Sequence, residues 1–73
     1  MKIIYSDHAK KRMKQRGITE LEIEHVLKYP EYIKKSFEGR KVALGKIKDK
    51  SIKIAFFEFE EENYIKIISI MYN

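Results

Sequence analysis

Apolar residues recur along this chain with two different periods. Over residues 7–28 they are sparse and three or four apart: Ala9 and Met13, then Ile23, Val26 and Leu27. That spacing predicts two amphipathic helices. From Lys41 onward the period is two, with Val42 and Leu44 on one face of a strand. Ile52, Ile54 and Phe56 then share one face of a second strand, and Ala55, Phe57 and Phe59 the other. A strand apolar on both faces is expected at the centre of a sheet.

The element ends are marked by residues with specific backbone roles. Ser6 is a good N-cap, Asp7 suits the positive end of a helix, and the first helix runs to about Arg16. Gly17 supplies a left-handed stop. Thr19-Glu20-Leu21-Glu22 reads as a capping box opening the second helix. Pro30 forbids continuation, so that helix ends near Lys28 or Tyr29. Tyr32 to Phe37 reads as an edge strand, Glu38-Gly39 as a turn, and Lys41 to Ile47 as a strand. Lys48-Asp49-Lys50 is a hairpin tip, Ser51 to Glu60 a strand, Glu60 to Asn63 a turn, and Tyr64 to Tyr72 the closing strand. Lys2 to Tyr5 is a short strand or an extended lead-in. The expected architecture is α+β, with two N-terminal helices packed on one face of a three- to four-stranded antiparallel meander sheet, in a single domain over residues 1–73. The other sheet face has no third layer. It points to a homodimer or a protein partner through the sheet, or else to a sheet curled on itself.

Composition narrows the function. With 73 residues the chain buries roughly 60% of its unfolded surface, and 44% hydrophobic residues supply a core. Cysteine is absent, which removes disulfides and thiolate metal sites. Met1-Lys2-Ile3-Ile4-Tyr5 forms no leader-type apolar segment and no apolar run is long enough to span a bilayer, so a cytoplasmic protein without membrane association is expected. The net charge of +5 favours nucleic acid or another polyanion, an acidic partner protein included, or else serves solubility alone. The two histidines show no ligand spacing, and His25 falls off its helix's apolar stripe. Neither a phosphate-cradling glycine loop nor a nucleophile elbow is present, so no metal and no cofactor is expected.

The candidate chemistry lies in the first helix. Its four-residue spacing sets His8, Arg12 and Arg16 on one face, with Lys11 and Gln15 beside them. A titratable imidazole next to permanent cations suits phosphate binding and local proton transfer. The alternative is a solubilising helix whose arginines pair with sheet carboxylates such as Glu58. A second basic cluster, Lys34-Lys35 and Arg40-Lys41, either extends a phosphate-binding surface or protects an edge strand.

His8-Ala9-x-x-Arg12-Met13-x-x-Arg16-Gly17-Ile18, followed by Glu24-x-Val26-Leu27-x-x-Pro30, resembles a widespread bacterial and archaeal family of small domains of unknown function. That family is distantly similar to the BrnT branch of the RelE-type toxins, small basic α+β ribonucleases masked by an antitoxin. The resemblance implies a toxin-like, metal-independent endoribonuclease in which an RNA 2′-hydroxyl attacks the adjacent phosphate. It assigns His8 as proton carrier, Arg12 and Arg16 as the phosphate clamp, and Tyr72 as hydrogen-bond donor or stacking ring. Lys11, Gln15, Arg40 and Lys41 would bind RNA. The BrnT pattern carries an arginine near the last strand, where this chain reads Ile70-Met71-Tyr72-Asn73. The alternative is a non-catalytic RNA-binding or protein-interaction module.

Overall fold

Each helix starts and stops at a side chain suited to the task. A computed structural model describes residues 2–72, and for Phe37 the backbone alone; Met1 and Asn73 lie outside the described residues. Helix α1 (Asp7–Arg16) opens at Ser6, whose hydroxyl accepts from the Ala9 amide at 3.1 Å. It closes at Gly17, whose φ of 66° is left-handed and whose N–H donates to the Met13 carbonyl. Helix α2 (Glu20–Lys28) opens on the full capping box. The Glu22 amide donates to the Thr19 hydroxyl, and the Thr19 amide donates to the Glu22 carboxylate at 2.9 Å. That backbone bond from Thr19 is the main reason the Glu22 carboxyl is held below its ordinary pKa. The helix ends two residues short of Pro30, as the proline ring requires.

Five strands form one sheet: β1 (Lys2–Tyr5), β2 (Tyr32–Lys35), β3 (Lys41–Ile47), β4 (Lys50–Phe59) and β5 (Tyr64–Tyr72). Their order across the sheet is β1-β5-β4-β3-β2. A 3-10 turn, Phe37–Gly39, joins β2 to β3. The β3–β4 hairpin turns on Lys48 and Asp49, both left-handed at φ 51° and 66°. Such a turn matches the twist of paired strands, and Asp-Gly or Asn-Gly is its usual signature. Here a lysine and an aspartate accept the backbone strain instead.

The expected three- to four-stranded antiparallel meander requires correction. The sheet has five strands and is mixed, because β1 lies parallel beside β5, with Lys2 opposite Tyr64 and Tyr5 opposite Ile67. Parallel neighbours need a long connection, and here most of the chain intervenes. Local periodicity does not reveal such a pairing. The other three pairings are antiparallel, as expected, with β4 central and β2 at the far edge.

The β4–β5 register slips at Ala55/Phe56, where Ala55 faces Ser69 but Phe56 faces Ile67. Ile68 is therefore the extra residue of a bulge, whose backbone groups need partners outside the ladder. Ser6 supplies one: its hydroxyl donates to the Ile68 carbonyl at 2.8 Å while its amide donates to the Ile67 carbonyl at 2.9 Å. One serine thus caps α1 and fastens the helix start to the bulge.

Both helices cover the same sheet face, α1 over β5 and α2 over β3. Between them Ile23, Val26, Ile52, Ile54, Ile67 and Ile70 are fully buried. Gly45 allows α2 its close approach: a Cβ at that position would stand 2.9 Å from Val26 Cγ1. Among the described residues no helix is long and apolar enough to cross a membrane.

Candidate functional site

The first turn of α1 sits where Ser6 ties it to β5, and this sets where His8 projects. Ala9 and Met13 turn into the core, which rotates the basic residues outward. His8, Lys11, Arg12 and Gln15 line one recess of about 300 Å³. Arg12 is half-buried while His8, Lys11 and Gln15 are exposed, so the guanidinium stem packs and its head remains available. An imidazole, a guanidinium, an ammonium and an amide around one concavity form a donor set suited to phosphate oxygens.

Arg16 belongs to a second recess. Its guanidinium carbon lies 5.3 Å from the centroid of the Tyr72 ring, and Lys50 Nζ stands 5.4 Å from the same ring. These three residues and Ser51 surround a space of about 360 Å³. Two cations on one phenol are mutually repulsive, and an anion between them relieves that repulsion. Lys50 and Ser51 were not legible as site residues. In the sequence Lys50 belongs only to a polar hairpin tip, and the β3–β4 turn brings it to the end of β5.

His8 and Arg16 are eight positions apart, about 12 Å along the axis at 1.5 Å per residue. The residues expected to act together therefore divide: His8, Arg12, Lys11 and Gln15 in one recess, Arg16 and Tyr72 in the other. Arg12 stands midway between them along α1. Arg40 and Lys41 lie elsewhere, in a recess with Lys35, Ser36 and Gly39 at the β2–β3 connection.

Glu58, the carboxylate that could have neutralised the arginines, is engaged by Lys41 at 2.8 Å. That hydrogen bond raises the Lys41 pKa, with the Glu58 charge adding to it. Among the described residues the remaining ion pair joins Lys48 to Glu22 at 3.8 Å, so no α1 cation is paired with a carboxylate. His25 is exposed and tilts against the Tyr29 ring, with centroids 5.3 Å apart. Among the described residues no group of three or more His, Cys, Asp or Glu is placed to hold a metal ion.

Among the described residues one buried side-chain polar atom is left without a partner. The Tyr5 hydroxyl is buried without a hydrogen-bond partner. Burial first, then the nearby Glu20 and Glu24 charges, push its pKa up to about 12. Such a phenol stays protonated at neutral pH and is no general base there.

The structure thus defines a small basic α+β domain whose first helix carries Lys10, Lys11, Arg12, Lys14 and Arg16 with no carboxylate partner among the described residues. The chain belongs to the family described as Domain of unknown function (DUF4258), whose pattern matches residues 5–72. Neither the curated proteins nor the solved structures contain a match to it.

Proposed function

We propose that this protein acts on RNA, gripping consecutive phosphates along α1. The reading rests on one observation: α1 carries Lys10, Lys11, Arg12, Lys14 and Arg16 with no carboxylate partner among the described residues. Leaving such a helix unpaired keeps its cations free to release counterions from a nucleic-acid backbone. His8 and Arg16, about 12 Å apart along the helix axis at 1.5 Å per residue, line different recesses, which suits separate phosphates of one strand better than a single phosphate held by all four residues.

A second reading adds chemistry at the same place, a toxin-like, metal-independent endoribonuclease of a toxin–antitoxin type system. The shared recess of His8 and Arg12 favours it. His8 takes the 2′-hydroxyl proton as that oxygen attacks phosphorus, Arg12 stabilises the phosphorane charge, and protonation of the departing 5′-oxygen completes the exchange. Arg16 and Tyr72 hold the flanking nucleotide. The products are a 2′,3′-cyclic phosphate and a free 5′-hydroxyl.

A single experiment separates the two. RNA is incubated in EDTA with the wild type and with His8→Ala, and both binding and end groups are followed. Cyclic phosphate ends lost in His8→Ala establish the nuclease. Salt-dependent binding without cleavage leaves the binding reading standing. Absence of RNA binding at low salt overturns both.

A further inference from the structure

The uncovered sheet face has an organisation that α1 does not share. Residues paired across strands project to the same side, so the register assigns the face opposite the helices. It receives one lysine from every strand: Lys2, Lys66, Lys53, Lys46 and Lys34, in the order of the sheet. Among the described strand residues the sole carboxylate is Glu58. Its pairing with Ile65, which packs against the core, places it on the helix side. Every charged strand residue on the open face is therefore a lysine.

The two lysines on its interior strands β5 and β4 are flanked by flat and apolar side chains. Lys66 lies between Ile4 and Phe57, and Lys53 between Met71 and Leu44. Phe59 and Tyr64 stack with centroids 4.6 Å apart, and Phe57 follows at 6.3 Å from Phe59. Met71 keeps 47% of its surface exposed and Tyr32 57%. A second copy of this chain would set lysine against lysine across such a face. A duplex would offer it phosphates but no base to stack.

The geometry points to the open sheet face as a binding surface for single-stranded nucleic acid, with bases against Phe57 and Tyr64 and phosphates on Lys53 and Lys66. Alternating rings and ammonium groups match alternating bases and phosphates, and base–aromatic stacking is tolerant of sequence. The inference shares its ligand class with the reading of α1 but uses none of the same residues.

The test is titration of a fluorescein-labelled oligouridylate into the wild type, the Lys53→Gln/Lys66→Gln variant, Phe57→Leu and the α1 variant Lys11→Gln/Arg12→Gln. Backbone NMR spectra verify that each is folded. The open-face double variant is expected to weaken binding at least about tenfold at low salt. It should also reduce the slope of log affinity against log salt by about 1.4, about 0.7 for each lost phosphate contact. Phe57→Leu keeps an apolar side chain but loses the ring, and should weaken binding roughly tenfold.

Loss in the open-face variants with retention in the α1 variant supports the inference and removes RNA from α1. Loss in both sets supports two surfaces. Loss in the α1 variant alone overturns the inference while leaving the proposed function intact. Equal affinity for a duplex overturns it too. So does a face that takes polyglutamate but not the oligonucleotide, which indicates an acidic protein partner, or a self-associating face blocked by Met71→Lys.

Discussion

The two faces of the one sheet come from the same strands and differ in nearly every physical respect. On the helix side, Ile52, Ile54, Phe56, Ile67 and Ile70 are buried beneath α1 and α2. On the open side, the alternate residues of those strands include Lys53, Phe57, Lys66 and Met71, and all of them retain contact with water. A strand apolar on both sides is central in its sheet, and β4 is central. Being central does not mean being covered on both sides. The lysines keep the second face wet, and they give it a sign.

Stability measurements should show the contrast directly. Ile54→Ala is expected to cost about 2–5 kcal/mol, because a fully buried side chain leaves a cavity that the packed helices cannot fill. Met71→Ala on the open face should cost less than about 1 kcal/mol, since the solvent already reaches that side chain. Urea denaturation of the two variants decides, and comparable losses would mean that the open face is structural core.

Gly45→Ala tests how closely α2 is seated. A Cβ there meets Val26 Cγ1 at 2.9 Å and Cγ2 at 3.3 Å, so overpacking should cost about 1–3 kcal/mol in the same assay.

Ser6→Ala should cost about 1–2 kcal/mol, since it removes both the α1 cap and the hydroxyl that satisfies the Ile68 carbonyl. Calorimetry gives the Tm shift. Amide exchange should show the loss at the start of α1 and at the β5 bulge together.

Tyr5→Phe should be the smallest change, within about 1 kcal/mol of the wild type at neutral pH, because the hydroxyl it removes has no partner to lose. Its effect appears in alkali. The folded state holds the Tyr5 proton up to about 12, whereas the unfolded chain releases it near 10. Stability is therefore unaffected by this group below pH 10 and falls as pH rises from 10 toward 12. Spectrophotometric titration of tyrosinate should show a late-ionising group that is absent in Tyr5→Phe.

The interior boundaries of the helices were legible because they depend on neighbours in sequence. A serine before the helix, a glycine after it, a Thr-x-x-Glu box and a proline act within one turn of where they stand. Strand faces were legible for a similar reason, since a period of two assigns each side chain to a face wherever the strand pairs. The His8–Arg12 recess followed from helical spacing. Its separation from Arg16 and Tyr72 did not, because that depends on Lys50 arriving beside Tyr72 across a turn that carries no glycine.

What the sequence determined by itself was the two helices with their caps and the strands between Lys41 and Tyr72 with their two faces, all matters of backbone preference over a few residues; the edge strand expected from Tyr32 to Phe37 instead ends at Lys35, before a 3-10 turn. Three things were decided only by the tertiary structure. These are the parallel pairing of β1 with β5, the division of the α1 residues between two recesses, and the gathering of Lys2, Lys34, Lys46, Lys53 and Lys66 on one face. Each depends on contacts between residues far apart along the chain. Pairing order and register across the sheet, rather than any local preference, place those residues together.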